Sequence, residues 1–233
     1  MDCREKLSEI LKIYKRVSIL ANKNGCETLR IRHKKLENDL CLHILPKENF
    51  AYEFLKGIRQ ENLPIVYETF ILSDGMMVLE EYIDGLNVAQ ISEAGHISKK
   101  GAVKIVKSIC NALTVLHENR IVHRDIKPEN IMVNNKGRVV LIDFNSSRTV
   151  SLKSKDTEIL GTIGYASPEQ MGLTQTDART DIYALGILLN VLITGKHPSE
   201  EMAKGRFGKI INKCTAISPD DRYQTAEQLK KEL

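Results

Sequence analysis

Apolar and polar positions follow two different periods along this chain, and the change falls near Gly85. Before it come short β-like runs: "VSIL", "ETLRIRH", "DLCLHIL", "IVYETFIL" and "MMVLEEYI", separated by the turn signals "ANKNG", "KKLEN" and "LSDG". Five strands of an antiparallel sheet are predicted from them. Residues 1–16 set charged and apolar side chains at helical spacing, which predicts a short amphipathic helix ahead of the strands. "ENFAYEFLKGIRQ" reads as the one helix set among the strands.

After Gly85 the helical period takes over. "SKKGAVKIVKSICNALTVLHENR" lines up Val103, Val106, Ile109, Cys110, Leu113 and Leu116 on one face of a long helix. "TDIYALGILLNVLITG" is a second, more apolar helix, and "SPDDRYQTAEQLKKEL" opens on a Ser-Pro-Asp helix start. Two short strands, "NIMVNN" and "RVVLIDF", lie between the helices. The pattern predicts an α+β, bilobal fold: a β-rich N-lobe over residues 1–84, a helical C-lobe over 85–233, and a crevice between them.

Composition narrows the class rather than the function. At 233 residues the chain can bury a full core, and 42% hydrophobic with 27% charged residues is ordinary for a globular protein. A net charge of +4 does not argue for a nucleic-acid partner. The five cysteines are odd in number, spread out and without a CxxC pair, so they read as reduced thiols in a cytoplasmic protein. "MDCREKLSEILKIYKR" is too charged for a signal peptide, and no apolar run approaches a membrane span.

The chemistry concentrates in "HRDIKPENIM", His123 to Met132, and in Asp143 just after the apolar "VVLI". Asn130 and Asp143 offer hard oxygens of the kind Mg²⁺ accepts while it keeps waters and phosphate ligands. Asp125 can orient a hydroxyl nucleophile and take its proton, and Lys127 can offset the charge of a moving phosphoryl group. Taken singly, the same residues also suit a solvated surface turn.

In their order along the chain these segments resemble the eukaryotic-like (Hanks-type) serine/threonine protein kinase family. "HRDIKPENIM" resembles its catalytic loop, "IDFN" its metal-binding Asp-Phe-Gly, and "GTIGYASPEQ" the end of its activation segment. "DIYALG" resembles the buried helix whose Asp181 would hold the catalytic-loop backbone, and "DDRYQT" carries Arg222, the implied ion-pair partner of Glu169. The resemblance implies ATP and Mg²⁺ as cofactors and a protein substrate, with Asp125 as catalytic base beside Lys127 and the metal on Asn130 and Asp143. Lys127 and Thr162 look like the serine/threonine subgroup. Arg124 would grip a phosphorylated activation loop, for which Thr157 is a candidate among several hydroxyls that also suit a merely solvated loop.

The N-lobe departs from the family. An ungapped alignment puts His43 where the phosphate-binding Lys belongs, Cys41 where a small residue packs on adenine, and "ANKNGC" at the Gly-rich loop with Gly25 its one glycine. Ala51 falls at the position of the helix Glu, and Glu53 faces about 200° away on the same helix. Glu80 would guard the back of the adenine pocket, Glu81 to Ile83 would form the hinge, and Met132 would lie beneath the base. His43 is read as either a phosphate contact or a half-buried strand residue without a ligand. Two functions therefore stand: a compact serine/threonine kinase, favoured by the complete Asp125, Lys127, Asn130 and Asp143 set, and a pseudokinase that binds nucleotide or scaffolds a partner.

Overall fold

A computed structural model of the chain describes residues 1–23, 25–150, 164–171 and 175–233. These form two compact units: Met1–Gln60 with Pro64–Ile83, and Asp84–Leu233 with Glu61–Leu63.

The first unit is a sheet with two helices. Helix α1 (Cys3–Ile13) starts on a capping box in which the Asp2 side chain accepts from the Glu5 N–H and the Glu5 side chain from that of Asp2. Strands β1 (Tyr14–Lys23), β2 (Cys26–His33), β3 (Asp39–Leu45), helix α2 (Phe50–Lys56), β4 (Val66–Leu72) and β5 (Gly75–Glu81) follow. The sheet order is β1-β2-β3-β5-β4, antiparallel throughout. Leu29, Ile31, Leu40, Leu42 and Met77 make one face of it, and Ile10 of α1 is buried with them.

Two elements differ from the sequence reading. The helix expected over 1–16 ends at Ile13, because β1 pairs with β2 from Tyr14 onward and the ladder satisfies that backbone instead. "VSIL" is thus the middle of a ten-residue strand. Helix α2 covers only Phe50–Lys56: Asn49 caps it by accepting from the Ala51 N–H, and Gly57 closes it.

The second unit is mainly helical. Strand β6 (Gly85–Asn87) and helix α3 (Val88–Ala94) lead to α4 (Lys99–Glu118), capped by Ser98 and burying Val106, Ile109, Cys110, Leu113 and Leu116. Val103 lies half-buried at the margin of that stripe. Then come β7 (Ile121–Val122), β8 (Ile131–Asn134), β9 (Val139–Leu141) and β10 (Arg148–Thr149), with β6-β8-β9 as one small sheet and β10-β7 as another. Helices α5 (Ala178–Thr194), α6 (Gly205–Cys214) and α7 (Ala226–Glu232) complete the unit. Gly186 of α5 lets α6 approach: a Cβ there would sit 2.4 Å from that of Cys214.

The last helix begins later than its Ser-Pro-Asp start suggests. Pro219–Asp221 form a single 3₁₀ turn, the chain straightens at Arg222 (φ −81°, ψ 173°), and α7 starts after the Thr225 cap. Glu61–Leu63, within the expected N-lobe span, sits in the second unit. Leu141 N–H donates to Asn62 O (3.0 Å), the Asn62 amide donates to Val139 O (2.8 Å), and Arg138 donates to the carbonyls of Glu61 and Leu63. This segment completes the edge of β9 that β8 leaves open.

Candidate active site

The loop from His123 to Asn130 folds back on itself. Pro128–Asn130 make a 3₁₀ turn with proline at its start, which returns the Asn130 side chain to Asp125. The Asp125 carboxylate accepts from Lys127 Nζ (2.7 Å) and Asn130 Nδ2 (2.8 Å), and Asn130 Nδ2 also donates to the Asp125 carbonyl (2.9 Å). One carboxylate thus gathers a cation and an amide within five residues of chain.

The loop is held from below by Asp181, fully buried on α5. Its carboxylate accepts from the backbone N–H groups of His123 (2.9 Å) and Arg124 (2.8 Å) and bonds the His117 ring at 2.8 Å. Burial alone would push the Asp181 carboxyl up; the hydrogen bond and charge of His117, with the His123 ring and the Arg124 N–H, outweigh it and hold the carboxyl below its ordinary value. Arg124 needs that anchorage, because its backbone is left-handed at φ 69°, at a typical cost of about 1–3 kcal/mol. Its side chain is buried, and its carbonyl accepts from Gln170 Nε2 at 2.8 Å.

Asp143 is tied to the same loop. Ile142 N–H donates to the Asn130 carbonyl (2.9 Å), and His123 Nε2 donates to Ile142 O (3.2 Å). Asp143 itself is left-handed at φ 64°, and its Oδ1 accepts from the Asn145 N–H at 3.2 Å. The donor set suits a hard cation. Both bonds that fix the Asn130 amide use its nitrogen, so its oxygen is the atom left for a metal, and Asp143 adds a carboxylate.

Glu169 and Arg222 meet in a bidentate pair of 2.7 and 2.9 Å, with side chains 2% and 0% exposed. All five guanidinium donors are used, the remaining acceptors being the carbonyls of Arg179, Ala216 and Ile217. Thr180 donates to Glu169 as well. Burial pushes the Glu169 carboxyl up, but its bonds from Arg222 and Thr180 bring it below the ordinary value.

In the first unit the register sets Thr28 beside His43, His43 beside Val78, Arg30 beside Cys41 and Cys41 beside Glu80, all on one sheet face. His43 is 5% exposed. Its Nδ1 bonds the Thr28 hydroxyl (3.0 Å), its Nε2 lies 3.3 Å from Glu80 Oε1, and its ring is 5.4 Å from that of Tyr52. Both nitrogens face protein groups, so in this arrangement the ring does not present one to a phosphate. Neither of the two readings made of His43 anticipated this: the ring is buried and has an acid beside it. Ala51 is buried, Glu53 is half-exposed on α2, and the acid at His43 comes from β5 instead. Cys41 is buried, and burial raises its thiol far above the ordinary range. Glu81 is bound to Ile65 twice, its N–H donating to Ile65 O (2.8 Å) and its carboxylate accepting from Ile65 N (3.1 Å). Ile83 is buried at the end of this unit, and Met132 is half-buried in the second.

The family model for the protein kinase domain matches residues 30–233. The chain belongs to the protein kinase family. Among relatives of this kinase domain, serine/threonine-protein kinase PrkC of Bacillus subtilis is 30% identical over 238 residues, covering 85% of this chain and 36% of that protein. Serine/threonine-protein kinase PknB of Mycobacterium tuberculosis is 29% identical over 184 residues, covering 67% of this chain and 29% of that protein. A probable serine/threonine-protein kinase of Corynebacterium efficiens is 30% identical over 238 residues, covering 86% and 36%. The kinase domain spans about a third of the length of these curated relatives. Among its described residues no helix is long and apolar enough to cross a membrane.

Thr157 and Thr162 lie outside the described residues. Four partners escaped the sequence reading: His117 on Asp181, Gln170 on Arg124, Thr180 on Glu169, and Glu80 on His43. Helical spacing could have marked only His117 as inward-facing, one turn beyond Leu113 on the apolar stripe of α4, and not the partner it meets.

Proposed function

We propose that this kinase domain transfers the γ-phosphoryl group of ATP to a serine or threonine hydroxyl of a protein substrate. The observation that carries the reading is the Asp125 carboxylate shared by Lys127 and Asn130 at 2.7 and 2.8 Å. Asp125 accepts the proton of the attacking hydroxyl as its oxygen bonds to the γ-phosphorus and the bond to the ADP oxygen breaks. Lys127, held on the same carboxylate, neutralises charge on the moving phosphoryl group. Asn130, through its amide oxygen, and Asp143 would hold Mg²⁺, which when bound would supply positive charge to offset that of the phosphates. Cys41, Glu81 and Ile83 of the first unit are the residues we assign to the adenine. The names of the relatives support the serine/threonine assignment. The five cysteines form no disulfide, which supports a reducing, cytoplasmic setting.

Transfer of labelled phosphate from Mg²⁺-ATP to a generic basic protein, followed by identification of the labelled amino acid, tests the proposal. Wild type labels serine or threonine, and Asp125→Asn lowers the rate about 10²–10⁴-fold. Equal rates in the two proteins, or label on tyrosine, would sink it. No transfer above background by wild type would leave the scaffold as the better reading.

A further inference from the structure

Three cations stand in a row on α6: Arg206, Lys209 and Lys213, all exposed. Spacings of three and four residues keep them on one helical face, about 4.5 and 6 Å apart along the axis. They line a groove of about 440 Å³ whose floor includes the buried side chains of Ile210 and Tyr223 and whose far wall is Glu232 of α7. The Lys213 ammonium sits 4.4 Å from the centre of the Tyr223 ring, and Arg206 is held by a bond to the Glu232 carbonyl at 2.7 Å.

Several cations elsewhere on this molecule are matched by acids, as Arg30 and Arg32 share Asp39, Arg179 takes Asp177 and Asp220, and Lys56 takes Glu68. Among the described residues neither Lys209 nor Lys213 has a carboxylate within ion-pair distance. The row therefore carries an excess of positive charge above an apolar, aromatic floor.

We infer that this groove docks an acidic polypeptide segment, with carboxylates on the α6 cations and an apolar side chain on Ile210 and Tyr223. The spread of charge favours a peptide over a single phosphate, for which the cations would converge on one point. Side chains on one face of an extended peptide repeat roughly every 6.6 Å, near the wider of the two spacings in the row. No lining residue belongs to the His123–Asn130 loop or the Asp143 turn, so the inference stands independently of the proposed phosphoryl transfer.

Fluorescence anisotropy of a labelled short peptide alternating glutamate and leucine tests it on the 233-residue chain. Wild type and Asp125→Asn bind it equally, while Lys209→Glu with Lys213→Glu weakens binding about tenfold or more. The Lys209→Ala, Lys213→Ala pair gives a smaller loss of the same sign and serves if charge reversal lowers the melting temperature. Three outcomes would overturn the inference: unchanged affinity in both double variants, equal binding of a glutamine–leucine peptide, or displacement by inorganic phosphate or a single-stranded oligonucleotide at concentrations that leave the peptide's ionic screening unchanged.

Discussion

Buried ionisable groups serve different purposes in the two units. In the sheet, His43 and Glu80 lie diagonally across neighbouring strands and face each other, while the ladder satisfies the backbone around them. In the helical unit, buried ionic groups hold loops. Asp181 takes two backbone N–H groups and a histidine; Arg222 takes a carboxylate and three carbonyls. A strand backbone is already paired, so an ionisable group buried against it has to find another side chain. An irregular loop leaves N–H and C=O groups open, and a buried charge can be neutralised and useful at once.

The contrast is broken most severely at Arg222. Arg222→Ala leaves Glu169 buried and strips three carbonyls of their donors, and should cost about 3–5 kcal/mol. Thermal melting beside Lys196→Ala, an exposed pair with Glu201, measures it; equal shifts in the two variants would mean that the buried pair does not anchor the fold.

The sheet pair should be less costly. Glu80→Ala removes the acid beside His43 and should destabilise by about 1–3 kcal/mol. A double-mutant cycle with His43→Ala gives the coupling directly. Additive losses would show that the two side chains are neighbours without being partners.

Acid separates wild type from Arg222→Ala by sign. The Glu169 carboxyl is depressed in the folded state, so its contribution is fully present above the ordinary glutamate range near pH 4.3 and fades as pH falls through the folded value. Arg222→Ala lacks that contribution at every pH. The gap between their melting temperatures should therefore narrow below about pH 4, and a constant gap from pH 7 to 3 would contradict the pairing.

The sequence alone determined the five strands of the first unit, the long helices α4 and α5, the change of period near Gly85 and the clustering of Asp125, Lys127 and Asn130, while β6, α3, β7, β10 and α6 escaped it. Each of those is local: periodicity reports which face is buried, and a proline-led turn returns Asn130 to Asp125, five positions before it. Tertiary structure decided the rest. Nothing within a few residues of His43 names Glu80 as its neighbour, because that contact exists only once β3 and β5 take one register. Asp181 and His117 are 64 positions apart and meet only where α4 packs on α5. Likewise Asn62 belongs with β9 because that strand has an open edge, and α7 starts late because Arg222 leaves the helical conformation as it reaches Glu169. Short-range spacing sets the geometry of a turn, whereas partners far apart in the chain are chosen by strand register and helix packing, which no single segment encodes.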